Sequence, residues 1–292
     1  MRTAVVINPT GVTDVEQKHQ EIVTALSDVD SPAPMWLATT AEDPGGGQTR
    51  AAIGAGVDVV FAYGGDGTVR ACADELAGTP VALGVLPAGT GNLVATNLGI
   101  PADVPAAIAV AVNGRRRRLD LGCLDGHHFV LMAGIGFDAA MMDATPEHWK
   151  HLVGWPAYVV GGMRRIFDGA VAVRISLDGA APIARTARTV LVANLGRMQG
   201  GLDLFGDATP DDGLLDVAVV APRGPVGWLK LAATTLVLRR PAPRPQVETF
   251  RASTVDIRSR TSQPRQVDGD VITVGDRLNV TVRPRVLWVC VP

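Results

Sequence analysis

Short apolar runs alternate with stretches of helical periodicity over the first part of the chain. Thr3 to Ile7 is strand-like and ends in the turn Asn8-Pro9-Thr10-Gly11. Val15, Ile22, Val23, Leu26 and Val29 then recur at helical spacing, and Met35 to Ala38 predicts a second strand that closes on Thr39-Thr40. A short helix over Arg50 to Ala55 precedes a buried strand, Val57 to Phe61. Val69, Cys72, Ala73 and Leu76 predict a helix over Thr68 to Leu76. Val81 to Leu86 is another strand, ending in Pro87-Ala88-Gly89-Thr90-Gly91-Asn92, and helices follow over Asn92 to Leu98 and Val104 to Val112. Strands alternating with helices predict βαβ units and a mostly parallel, doubly wound sheet. Ligands bind such sheets at the carboxyl ends of the strands, so the loops at Asn8, Thr39, Gly64 and Pro87 should share one edge.

The pattern changes at Asn113-Gly114-Arg115-Arg116-Arg117-Arg118, which reads as a solvated linker. From Leu119 on, strand-like runs dominate: Phe129–Met132, Val171–Leu177, Thr189–Asn194, Leu215–Val220, Thr254–Ile257, Val271–Val274 and Leu278–Val282. Gly- and Asp-rich turns separate them, as in an antiparallel β-rich domain. Helical inserts are expected at about Trp149 to Phe167 and Trp228 to Arg240. The expected fold class is therefore α/β plus all-β, with domains 1–118 and 119–292.

Composition narrows the function classes. Apolar residues make up 47% and charged residues 19% of the 292 positions, as in a well-buried globular protein. A net charge of −2 gives no global pull toward nucleic acid, and none is expected as a partner. Cys72, Cys123 and Cys290 lie far apart without a C-x-x-C pair, which argues against disulfides and zinc and for a reducing, cytoplasmic setting. The N-terminus reads as a strand and not as a signal peptide, and no window approaches the ~20 apolar residues of a membrane span.

The candidate chemistry centres on Gly64-Gly65-Asp66-Gly67-Thr68, between a buried strand and a helix. Glycines let backbone amides approach a ligand closely, and the helix start presents free N–H groups and a positive dipole end. That arrangement suits a phosphate, while Asp66 requires a cation beside it, so the turn reads as a nucleotide–Mg²⁺ site. Pro87 to Asn92 offers a second Gly-rich source of amides, although Asn92 is also explained as an N-cap. The chain has no Gly-x-x-x-x-Gly-Lys-Ser/Thr loop, no Gly-x-Gly-x-x-Gly opening a helix and no Gly-x-Ser-x-Gly. The histidines show no metal-ligand spacing.

Gly64-Gly65-Asp66-Gly67-Thr68 followed by Pro87-x-Gly89-Thr90-x-Asn92 resembles the diacylglycerol kinase catalytic domain, whose superfamily includes bacterial lipid kinases, sphingosine kinases and, more distantly, NAD kinases. The resemblance runs over nearly the whole chain. It takes in Asn8-Pro9, Gly134-Ile135-Gly136-Phe137-Asp138-Ala139, Asn194, Pro210-Asp211-Asp212-Gly213-Leu214-Leu215-Asp216 and Val267-Asp268-Gly269-Asp270 in the family's order. It implies a nucleotide domain and a β-sandwich with the active site in the cleft. Three departures stand out: Leu93 where the family has aspartate, Asp270 where it has glutamate, and no serine in the opening loop. The first two bear on acceptor choice.

The resemblance implies ATP and Mg²⁺ as cofactors and a lipid alcohol, diacylglycerol first, as phosphate acceptor. Asn8, Thr39, Thr40, Gly64, Gly65, Asp66, Gly67, Thr68, Gly89, Thr90 and Asn92 would then hold the nucleotide. Asp66 would hold the catalytic Mg²⁺. Asp212 with the carbonyls of Thr209 and Leu214 would form a second, structural metal site, which an ordinary Asp-Gly turn explains nearly as well. Asp268 would accept the acceptor proton, with Asp270 as partner or competitor, since in a loose phosphoryl-transfer transition state the base chiefly orients the hydroxyl. Such an enzyme would visit the membrane from water as a peripheral protein, and a homodimer is an allowed assembly. Arg115 to Arg118 and the face of Trp155, Val159, Met163, Ile166 and Phe167 are alternatively lipid-facing. Other readings keep the site but change the acceptor to a sphingoid base, NAD or another polyol, or keep nucleotide binding without catalysis.

Overall fold

The computed structural model describes residues 1–29, 31–136, 170–198, 205, 208–222, 224, 227 and 246–292. Both expected helical inserts, with the Trp155–Phe167 face, and Phe137 to Ala139 lie outside the described residues. The chain divides into two compact units. The first is Met1–Leu121 with Pro284–Pro292, and the second is Gly122–Arg283.

In the first unit, strands β1 (Thr3–Ile7), β2 (Met35–Ala38), β3 (Val59–Gly64) and β4 (Ala82–Pro87) form a parallel sheet in the order β4-β3-β1-β2. β1, β3 and most of β4 are buried, which explains their near-continuous apolar sequence. Helices α1 (Val15–Ser27) and α5 (Val104–Asn113) pack on each other, as do α2 (Gly46–Gly54) and α3 (Asp66–Leu76). Ile22 and Leu26 of α1 are fully buried, as are Cys72, Ala73 and Leu76 of α3. A further short helix, α4 (Leu93–Leu98), follows β4. Phe61 lies against its cross-strand partner Gly84, where a Cβ would come within 2.5 Å of the ring.

Two readings of the sequence are corrected here. Arg115 to Arg118 is not a linker but the start of strand β5 (Arg115–Leu124). The guanidinium of Arg118 lies 5.0 Å from the Trp288 ring centroid, and Arg115 donates to the Pro292 carbonyl at 3.2 and 3.3 Å. Strong side-chain polarity disguised a strand whose outer end is exposed. The expected strands over Val271–Val274 and Leu278–Val282 are likewise one continuous strand, β14 (Asp270–Val291). Its last part belongs to the first unit and pairs in parallel with β4, Trp288 opposite Ala82.

The second unit is antiparallel. It contains β6 (His127–Phe129), β7 (Met132–Gly136), β8 (Val171–Leu177), β9 (Ile183–Ala187), β10 (Thr189–Ala193), β11 (Leu215–Val220), β12 (Val247–Ala252) and β13 (Thr254–Val267). The pairing order is β12-β11-β10-β7-β13, and β13 also pairs with β8 and with the first part of β14. Alternate residues of these strands, among them Ile135, Val190, Val217, Ile257 and Val280, share one core with Phe129. The expected strand Phe129–Met132 is instead the join between β6 and β7, which leaves Val130 and Leu131 outside both. All three cysteines are free and buried. Burial pushes the Cys72 thiol up to about 12 and that of Cys290 up to about 11, so neither is a reactive thiolate.

Candidate functional site

Four parallel strands of the first unit end on one edge, and hydrogen bonds carry their pairing into the loops. Asn8 N–H donates to the Tyr63 carbonyl at 3.0 Å, Thr39 N–H to that of Ile7 at 2.8 Å, and Ala88 N–H to that of Gly64 at 3.0 Å. The four loops expected to converge therefore lie side by side. Asn8 Oδ1 accepts from the Thr10 N–H at 3.1 Å and from its hydroxyl at 2.7 Å, which folds the first loop on itself. Thr39 is buried, whereas Thr40 is exposed and accepts from the Asp43 N–H at 3.1 Å.

Asp43 is a loop residue that the sequence reading passed over. Its carboxylate accepts from the amides of Gly45 at 3.2 Å and Gly47 at 3.0 and 3.1 Å. Desolvation pushes this carboxyl up, but the amides of Gly47, Gly45 and Gly46, with Arg50 nearby, hold it below the usual carboxylate range. An aspartate just ahead of Pro44-Gly45-Gly46-Gly47 was the available signal.

The glycines of the central turn serve different purposes. A Cβ on Gly64 would lie 2.7 Å from Thr68 Oγ1 and 2.9 Å from Thr68 Cβ, so packing excludes a side chain there. A Cβ on Gly89 would lie 2.6 Å from the Gly65 Cα: the two Gly-rich loops touch backbone to backbone. Gly67 has nothing within 4 Å of where its Cβ would stand. Packing does not require a glycine at that exposed position, in the first turn of α3.

Asp66 opens α3, two residues earlier than the periodicity predicts. Its Oδ2 accepts from the Leu93 N–H and its Oδ1 from the Val94 N–H, each at 3.0 Å. The first turn of α4 is thus capped from another loop. Asn92 occupies the N-cap position, with φ 46°, but its side chain does not cap. Its Oδ1 accepts from the Gly89 N–H at 2.8 Å and its Nδ2 donates to the Gly89 carbonyl at 2.7 Å, closing the second loop. The Gly89 amide, expected to cradle phosphate, is committed to Asn92. A carboxylate has about four lone-pair sites, so Asp66 keeps acceptor capacity beyond these two bonds, and its donor chemistry fits one ligand position of a Mg²⁺.

In the second unit Asp268 and Gly269 have φ 47° and 96° and join β13 to β14 as a two-residue turn, with Val267 opposite Asp270. Positive φ at both positions is the type I′ pattern that Asp-Gly favours. The Asp268 carboxylate accepts from three successive amides, Val130 at 2.9 Å, Leu131 at 2.9 Å and Met132 at 2.8 Å. Asn194 holds the same segment from its carbonyl side: Nδ2 donates to Val130 at 3.0 Å, and its backbone N–H donates to Leu131 at 2.8 Å. Asp270 is exposed at the start of β14.

The profile of the Diacylglycerol kinase catalytic domain matches residues 2–124, and that of the YegS C-terminal NAD kinase beta sandwich-like domain matches residues 132–291. "Probable lipid kinase YegS-like" of Pseudomonas fluorescens (strain Pf-5) is 33% identical over 253 residues, which cover 82% of this chain and 80% of that protein. The chain belongs to this lipid kinase family. "Diacylglycerol kinase" of Mycobacterium tuberculosis is 32% identical over 215 residues, 71% of this chain and 69% of that one. A diacylglycerol kinase structure from Bacillus anthracis superposes over 100% of this chain and 97% of its own, with a TM-score of 0.75 and 20% identity, a likeness of fold.

In this lipid kinase the third carboxylate group lies at the turn before β11. Asp212 Oδ1 accepts from the Leu214 N–H at 3.0 Å, and Oδ2 pairs with the guanidinium of Arg251 on β12. The Nε of Arg251 lies 3.4 Å from Asp216. Burial pushes the Asp216 carboxyl up to about 6, a rise that Arg251 opposes and Asp212 reinforces. Arg251 is a site residue that sequence reasoning missed, because only the register places it opposite Asp216.

Proposed function

We propose that this lipid kinase transfers the γ-phosphate of ATP to the hydroxyl of a lipid alcohol, with diacylglycerol as acceptor and phosphatidic acid as product. The observation that carries the nucleotide half of this reading is the open space over Gly67, beside two loops whose backbones touch at Gly65 and Gly89. A glycine that packing does not require, at the start of α3, leaves room for a phosphate oxygen to approach the backbone. The lipid half rests on family membership and on the relative named for diacylglycerol.

The chain's residues then divide the work. The first turn of α3, from Asp66 through Thr68, binds the phosphates, while Asn8, Thr39, Thr40, Thr90 and Asn92 shape the rest of the nucleotide's surroundings. Mg²⁺, held by Asp66, would supply charge neutralisation at the transferring phosphoryl group. Asp268 or Asp270 orients the acceptor hydroxyl and takes its proton. Among the described residues no helix is long and apolar enough to cross a membrane, and we place the enzyme at the bilayer surface as a peripheral cytoplasmic visitor.

The test is transfer of labelled phosphate from ATP to diacylglycerol in mixed micelles, run beside a sphingoid base, NAD and a soluble polyol. Labelled phosphatidic acid, absent with Asp66→Asn, is the expected result. Transfer that survives both Asp66→Asn and Asp268→Asn would overturn the site assignment, and label on another acceptor would overturn the substrate.

A further inference from the structure

The family resemblance assigns a structural divalent cation to Asp212 and the carbonyls of Thr209 and Leu214, and the donor set does not fit one. Asp212 supplies the only charge in that set. One of its oxygens accepts the Leu214 N–H and the other carries the Arg251 guanidinium. A divalent ion on Asp212 would have to share that carboxylate with a cation already bonded to it.

Arg251 is placed there by the sheet. It stands on β12 directly opposite Asp216 of β11, in the antiparallel register that also sets Leu215 against Ala252. From that position its Nε reaches the buried carboxylate of Asp216, while its terminal nitrogen reaches back to Asp212 in the preceding turn. The planar guanidinium, with five donors in a fixed fork, suits a bridge between two carboxylates. We propose that Arg251 is a built-in cation that holds the Pro210–Asp216 turn in place, so that this lipid kinase needs no metal ion there. A positive charge in a side chain does the bridging that a bound ion would otherwise do. It cannot be washed out, and it makes the turn indifferent to the free Mg²⁺ concentration.

A ion that binds the native state raises the melting temperature, so thermal stability reads site occupancy directly. The experiment compares the Mg²⁺-induced shift in melting temperature, from chelator to millimolar Mg²⁺ without nucleotide, in the wild-type protein, Asp212→Asn and Arg251→Met. The expected result is the same shift in wild type and Asp212→Asn, and a larger one in Arg251→Met, where loss of the guanidinium reopens the carboxylates to a metal. A wild-type shift that Asp212→Asn removes would overturn the proposal, as would an Arg251→Met protein no more responsive than wild type. Should Arg251→Met fail to fold, calorimetric Mg²⁺ titration of wild type against Asp212→Asn decides the matter. Equal binding supports the built-in cation, and a site lost in Asp212→Asn refutes it.

Discussion

Asp268 and Met132 are joined twice: the Met132 N–H donates to the Asp268 carboxylate, and the Asp268 N–H donates to the Met132 carbonyl, each at 2.8 Å. With the amides of Val130 and Leu131 on the same carboxylate, Asp268 organises the whole join between β6 and β7. Asp268→Asn replaces an acceptor oxygen by an N–H that faces an amide. It should destabilise the fold by about 1–3 kcal/mol, the cost of unsatisfied buried donors. Asn194→Ala, which leaves the Val130 carbonyl without its side-chain donor, should cost about 1 kcal/mol. Denaturant titration checks both. An Asp268→Asn protein as stable as wild type would overturn this structural role.

The glycines of the first unit should separate under substitution. Gly67→Ala meets open space within a helix, where alanine is favoured over glycine by up to about 1 kcal/mol. Its melting temperature should hold or rise while its affinity for ATP falls. Gly89→Ala forces the two loops apart and should lose both stability and nucleotide binding. Thermal melts with and without ATP distinguish the two outcomes.

Asp66 has a structural duty at Leu93 and Val94 in addition to its proposed metal. Asparagine keeps the shape and one acceptor oxygen but carries no charge, and losing a cap altogether costs about 0.5–2 kcal/mol. Asp66→Asn should therefore stay nearer wild-type stability than Asp66→Ala, while both lose phosphate transfer. Melting curves set beside the transfer assay test this, and activity retained by Asp66→Asn would remove the carboxylate from the metal site.

A pH dependence follows from Asp178, whose Oδ1 accepts from the Ser253 hydroxyl at 2.7 Å and from the Ser253 and Thr254 amides at 2.9 Å each. The Ser253 hydroxyl and then the Thr254 amide hold its carboxyl below its ordinary 3.8. A depressed carboxyl stabilises the fold fully above its unfolded value, and the contribution disappears as pH falls through the folded one. Asp178→Asn should thus be less stable than wild type near neutrality, by at most about 1 kcal/mol at this exposed position. The gap should close below the ordinary carboxylate range. Melts taken across the acid range would show it, and a gap that persists there would contradict the assignment.

The α/β-then-β order was legible because buried parallel strands carry continuous apolar runs, and Gly-rich turns mark their ends. Local signals explain why an N-cap is the alternative reading of Asn92 beside nucleotide binding: its neighbours say helix start, whereas the group that caps α4 sits on Asp66, in a different loop. The Asp-Gly pair at Asp268 is legible as a turn, but the bonds from its carboxylate to the amides of Val130, Leu131 and Met132 join positions well over a hundred residues apart, which no local pattern encodes. Arg251 was invisible for a simpler reason: cross-strand register is a tertiary quantity that no local pattern encodes.

The parallel pairing of Trp288 with Ala82 makes synthesis order matter for this chain. The ribosome delivers β1 to β4 early, but the strand that flanks β4 arrives only after all of the second unit. A fragment cut after Leu121 would present the bare edge of β4 to solvent, the kind of edge that recruits other chains. The first unit is therefore not separable at Leu121. Its sheet is completed by residues Pro284 to Pro292, and attempts to express 1–121 alone should yield aggregates where the full chain stays dispersed.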